Sequence, residues 1–215
     1  MSVGCAEPAL VREAAVGPRD DPLVALLEAA YRRLAPAPGT DKDPAGLIVA
    51  GDGSRIGQTR IFERSAEIGR ALPPRFIPHR LSNGAASQLA IRFQHTGRVL
   101  TLADGPASVF RALAFTVASL EASVGPPRWI LLSGNVEDFG PERVTGAAVA
   151  IEFRRDLPQP FGTFRSGAVP PRTAASDSIS LVLSLASLRE WQSEIAFRDP
   201  ERTGGADLGI LGTRA

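Results

Sequence analysis

The chain has 215 residues, 44% of them hydrophobic, and a formal net charge of +1. That length can bury a real core in one domain, and the near-zero charge gives no general drive toward nucleic acid or an anionic membrane. The single cysteine, Cys5, excludes an internal disulfide and a zinc site built of cysteines, and two histidines, His79 and His95, are too few for most metal sites without carboxylates.

Residues 1–20 mix Gly, Pro and charge without period and are expected to form an irregular leader, with a single domain over 21–215. Asp20-Asp21-Pro22 predicts a helix start, an acidic cap with proline in the first turn. Leu23, Leu26, Leu27, Ala30, Tyr31 and Leu34 follow at helical spacing, and the helix is expected to end before Pro36. Gly46–Ala50 (GLIVA) is a short apolar run that predicts a buried strand. Gly51, Gly53 and Gly57 after it could cradle a phosphate, but GDGSRIG lacks the Lys-Ser/Thr of a P-loop, and a glycine turn is the simpler reading. A helix is expected over 58–72, stopped by Pro73-Pro74. A Pro-flanked loop to Pro78 follows, then a helix rich in small residues from about Ser82 to Phe93. Asn83 there is either a buried hydrogen-bonding anchor or a helix cap, with Ser82 the rival cap.

Val99–Leu102 predicts a short strand that runs into a turn and a second helix opening near Pro106. Pro126-Pro127 stops that helix, Trp129–Ser133 and Val144–Phe153 read as strands, and 154–175 reads as a Pro-, Gly- and Arg-rich excursion. Ser180–Trp191 has helical spacing, and Leu208–Leu211 is expected to be a last edge strand. Helices alternating with short apolar strands give an α/β class with a mixed or mainly parallel sheet. No segment approaches the apolar length of a membrane span, and the start lacks the pattern of a secretory signal, so the cytoplasm is the expected compartment.

The stretch from Pro73 to Val109 carries a family resemblance. It reads P-P-R-F-I-P, then R-L-S-N-G-A-A-S, then G-R-V-L-T-L-A-D-G-P-A-S-V. This resembles the N-terminal half of a β-ketoacyl synthase, a condensing enzyme of thiolase fold. In that family S-P-x-F-x-P precedes S-x-x-N-x-x-A-G, and G-P-x-x-x-x-x-x-A-C-A-S-G carries the catalytic cysteine. The register is ungapped from Pro74 to Val109, and a weaker continuation runs to Glu137, with WILLSGNVE where the family has V-L-V-G-G-x-E. The resemblance puts Pro106 at the cysteine position and leaves the family's two catalytic histidines without counterparts. It is similar in these respects to short, cysteine-less subunits of the chain-length-factor type in aryl polyene type pathways.

The resemblance implies one half of a thiolase-like fold, layered α/β with a mixed central sheet. It also implies a non-catalytic subunit that pairs with a full-length ketosynthase as a heterodimer, shapes its acyl pocket and meets an acyl carrier protein, or alternatively a purely structural partner that stabilises a synthase without setting product length. Val99, Leu100, Thr101 and Leu102 would lie in the subunit interface. Phe76, held between Pro74 and Pro78, would be a gate on the partner's acyl pocket, or else a residue of this chain's own core.

Other chemistry is weaker. Covalent acyl transfer needs an activated nucleophile beside a base. Ser108 is the alternative nucleophile for a small acyltransferase or hydrolase, but the resemblance makes it the serine that follows the cysteine position. Asp104 could face the helix start. Asn135, Glu137 and Asp138 after a core strand could bind a cation or be a solvated loop. Arg154, Arg155, Arg165 and Arg172 could meet an acidic carrier protein or simply be solvated. No cofactor and no metal is assigned.

Overall fold

The computed structural model describes residues 2–17, 21–34, 45–51, 83–103, 107–140, 142–158, 160–168, 195–197 and 208–214. In chain order the elements are β1 (Val3–Cys5), β2 (Ala9–Ala15), α1 (Pro22–Leu34), β3 (Gly46–Ala50), α2 (Gly84–Arg92), β4 (Val99–Leu102) and α3 (Ser108–Glu121). β5 (Arg128–Phe139), β6 (Arg143–Arg154), β7 (Gly162–Ala168), β8 (Ile195–Phe197) and β9 (Leu208–Arg214) follow. The strands form one mixed sheet in the order β4-β3-β5-β6-β1-β7-β9-β8, with β2 also paired to β6. β3 runs parallel to both β4 and β5, and the remaining pairings are antiparallel.

Two apolar layers sandwich the sheet. On one face, Val109, Leu113, Val117 and Leu120 of α3 meet Ile48, Leu131, Val149, Ile151 and Phe153. On the other, Leu23, Leu26 and Leu27 of α1 and Ala86 and Leu89 of α2 meet Leu47, Val49, Ile130 and Leu132. Successive strand residues point to opposite faces, so a strand covered on both must be apolar at every position. That is why GLIVA reads as an unbroken apolar run.

α1 starts as its sequence predicts. The Asp21 carboxylate accepts hydrogen bonds from the backbone N–H groups of Leu23 (2.8 Å) and Val24 (3.3 Å), and Pro22 takes the first turn. Gly46 is needed where it stands: a Cβ there would lie 2.1 Å from the ring of the fully buried Trp129.

The structure corrects several expectations. The first twenty residues hold two strands, not an irregular leader. Val3 and Cys5 are wholly buried in β1, and β2 lies along β6. β1 is too short to display alternation, and a register shift between Val11 and Glu13 breaks the period of β2. The expected excursion at 154–175 contains β7, which joins β1 to β9. β5 runs on to Phe139, so Asn135, Glu137 and Asp138 belong to a strand and not to a loop after it. β9 lies between β7 and β8 and is not an edge. The expected helices at 58–72 and Ser180–Trp191, and the loop carrying Phe76, lie outside the described residues.

Candidate functional site

β4 closes one end of the sheet. Val99–Leu102 pair with Leu47–Ala50 of β3, and no strand among the described residues takes the other side. Leu100 and Leu102 pack toward α3, so Val99 and Thr101 point toward α2. The large hydrophobic side chains exposed among the described residues are Ile91, Val99, Phe115 and Val124. The first three sit on α2, β4 and α3, and both helices touch β4. α2, β4 and α3 thus each present one large apolar side chain to solvent, Phe115 beside Trp129 of β5.

α2 is pinned beside the edge by a polar clamp. Arg32 donates to the Glu28 carboxylate across one helical turn (2.8 Å), and Arg92 donates to its other oxygen (2.5 Å), tying α1 to α2. Partial burial pushes the Glu28 carboxyl up, but the hydrogen bonds and charges of Arg32 and Arg92 outweigh it and hold the pKa below the ordinary value. The Tyr31 and Phe93 rings lie 4.1 Å apart, with the Arg32 guanidinium 5.2 Å from the Phe93 centroid.

The chain leaves β4, crosses the sheet as α3 and returns as β5. This crossover places the N-terminus of α3 at the carboxyl ends of the parallel strands. Ala107 and Ser108 are fully buried there, with Ala107 at the cap position. Pro106 and Asp104 lie outside the described residues. Ser108 has no histidine beside it among the described residues. His95 precedes the amino end of β4, and four strand residues at about 3.3 Å each put the two about 10 Å or more apart. Burial lowers the His95 pKa, while the backbones of Arg98 and Ala45 pull it the other way. Cys5 is no nucleophile either: burial pushes its thiol up to about 12, despite backbone hydrogen bonds that lower it.

The end of β5 holds buried polar groups. The Ser133 hydroxyl and the Asn135 side-chain oxygen are buried without a hydrogen-bond partner among the described residues. Glu137 and Asp138 are exposed, so the three polar residues after the core strand do not gather around one cation. On the α1 and α2 side of the same end, Leu27, Val49, Ala85, Thr101, Leu102 and Gly134 line a small apolar notch.

No protein-family model and no curated protein matches the sequence. Solved structures do match. A chain of the complex between the ketosynthase ApeO and its chain length factor ApeC from Xenorhabdus doucetiae superposes with a TM-score of 0.56 at 12% identity, over 94% of this chain and 78% of that one. The AntDE:AntF complex, a type II polyketide ketosynthase with its acyl-carrier protein, gives 0.53 at 9% identity, over 90% and 81%. The protein smu.943c from Streptococcus mutans UA159 gives 0.51 at 10% identity, over 100% and 83%. The chain has a thiolase-like fold. The layered α/β class and mixed central sheet expected from the sequence are those observed.

Within that fold the expected residues fare unequally. Val99, Leu100, Thr101 and Leu102 form a strand with the expected bounds, at the edge of the sheet among the described residues. Asn83 is exposed at the cap position of α2 and makes no side-chain cap hydrogen bond, so in this chain it is not a buried anchor. Its backbone carbonyl accepts from Ser87 N–H at 2.9 Å, the ordinary first-turn bond. Phe76 lies outside the described residues. Two features escaped sequence reasoning. One is Ile91, which is 77% exposed on a helix whose other apolar residues face inward. The other is Ser133, a hydroxyl closing the apolar run Trp129–Leu132. Its position in a strand covered on both faces was the available signal.

Proposed function

We propose that this chain is a non-catalytic synthase-like subunit that pairs through β4 with a full-length ketosynthase and shapes the acyl pocket. The observation that carries the reading is the outer edge of β4, which no strand among the described residues pairs, together with exposed apolar side chains on the two helices that touch it. An open strand offers a row of unpaired backbone N–H and C=O groups, a template for pairing with another chain. Stable partners also prefer apolar contact area. The complex that contains a chain of this fold pairs the ketosynthase ApeO with its chain length factor ApeC. Proline at the position that the resemblance assigns to the nucleophile supports the non-catalytic role.

On this reading the loop of Phe76 reaches the partner's acyl tunnel, where a ring stops chain growth by filling volume and needs no ionisable group. The test is co-expression with candidate ketosynthases, followed by co-purification and product analysis. The wild-type pair is expected to co-purify, and the isolated chain is expected to take no acyl adduct from acyl carriers by mass spectrometry. Phe76→Ala should leave the pair intact and lengthen the products. A stable adduct on the isolated chain, or unchanged products from an intact Phe76→Ala pair, counts against catalytic silence or the gate respectively.

A further inference from the structure

β2 presents a second outer edge. It pairs with β6 along one side, and no strand among the described residues takes the other. Ala6 N–H donates to the Glu152 carbonyl at 2.8 Å, which turns alternate residues of β6, Ala150 and Ala148 among them, toward β2. Leu10 stands opposite Val149, between those two, so its backbone N–H and C=O point away from β6. At the far end Val16 N–H donates to the Glu142 carbonyl at 3.0 Å, and the same alternation turns Ala15 outward. Such outward groups are a template for another strand.

The two edges differ in how they are protected. Arg33, in the last turn of α1, reaches β2 and donates through Nη1 to the Leu10 carbonyl at 2.8 Å. A charged group of the chain itself thus occupies an outward acceptor. The register shifts between Val11 and Glu13, so Leu10 and Ala15 do not fall on one regular ladder. Arg12 and Glu13 are exposed, and Glu13 meets Arg143 at 3.3 Å. VLTL of β4 carries no charge, and its register with β3 runs without a shift. A strand added along β2 would need the Leu10 carbonyl for its own N–H. It would have to displace the guanidinium and take it out of water, at a cost in desolvation.

We infer that Arg33 guards the β2 edge: by holding the Leu10 carbonyl it keeps a second copy of this chain from adding its own β2 there. A second copy is the occupant because two identical edges meet antiparallel about a two-fold, the commonest closed symmetry. The guard is independent of pairing through β4, and the isolated chain tests it whether or not a synthase partner is found.

The experiment is sedimentation velocity of the full isolated chain over a range of concentrations, with amide hydrogen exchange on the same samples. Arg33→Ala should self-associate at least tenfold more tightly than the wild type, and the Leu10 amide should gain protection as it does. Arg33→Lys keeps a charge and a donor and should behave as the wild type. Equal self-association of Arg33→Ala and wild type overturns the guard. So does tighter association with the Leu10 amide still exchanging freely, which would place the new contact elsewhere. Arg33→Lys associating as tightly as Arg33→Ala overturns it as well, as does an Arg33→Ala chain that only loses stability, which would make the contact a tie between α1 and β2.

Discussion

β3 and β4 are neighbours in the sheet, pair in register and carry similar apolar sequences, GLIVA and VLTL. Their surroundings differ. All five residues of β3 are buried, between α3 on one face and α1 and α2 on the other. None of the four residues of β4 is buried, although α2 and α3 both touch it. A short apolar strand in the middle of a sheet is explained by the chain's own core. The same composition at an edge that no strand among the described residues covers is left with exposed apolar area and backbone groups free to pair. The contrast separates residues whose burial the chain's own core explains from residues that the described core leaves partly exposed.

The sharpest way to break the contrast from the core side is at Trp129. It is fully buried, meets Phe115 edge-on at 5.4 Å between ring centroids and lies flat against Gly46. Trp129→Ala should cost about 3–5 kcal/mol of stability, read as a lower denaturation midpoint. Gly46→Ala acts on the same contact from the other strand. The added methyl has nowhere to go, and the expected loss is about 1–3 kcal/mol. A Gly46→Ala protein as stable as the wild type would mean that β3 and β5 do not pack as described.

From the edge side, the effects should fall on association. Leu100→Lys should abolish co-purification with a ketosynthase partner. It also removes a half-buried contact with the α3-side core, so some loss of stability accompanies it. Ile91→Asp separates the two effects. Ile91 is 77% exposed, and a change there should alter stability by less than about 0.5 kcal/mol. If Ile91→Asp leaves stability intact and weakens pairing, α2 belongs to the interface with β4. Normal pairing in both variants would move the interface elsewhere.

The contrast also explains what was legible in the sequence. β3, β4 and α1 could be placed because each is set by local signals: an unbroken apolar run, a strand-to-turn step, and Asp21-Pro22 before leucines at helical spacing. β1, β2 and β7 could not. Their strand character comes from pairing with residues far along the chain, such as Gly4 with Arg154 and Val3 with Phe164. Asn83 was misjudged for a related reason. Small residues around it do pack closely, with Gly84, Ala85 and Ala86 buried, but the helix begins one residue later and leaves Asn83 outside. Of the candidate site, the strand β4 was readable as a pattern. The orphaned Ser133 was not, since no local pattern records that a buried hydroxyl lacks a partner.

The smallest expected effect tests how firmly α2 is held beside the edge. Glu28 accepts from Arg32 and Arg92, and the folded pKa of its carboxyl lies below its ordinary value even though burial works the other way. A depressed folded pKa means that the folded state prefers the ionised form more than the unfolded state does. The stabilisation is therefore fully present above the ordinary glutamate pKa and is lost as pH falls through the depressed folded value. Glu28 and both arginines are partly solvated, so screening limits the contribution to about 0.3–0.5 kcal/mol. Glu28→Gln should lower stability by that amount near neutral pH, and the gap between variant and wild type should close in acid and narrow at high salt. Pairing through β4 should weaken in parallel if the clamp sets the position of Ile91. Equal stability of Glu28→Gln and wild type across the whole pH range would show that the Tyr31–Phe93 contact and the apolar packing of Leu89 hold α2 without help from the charges.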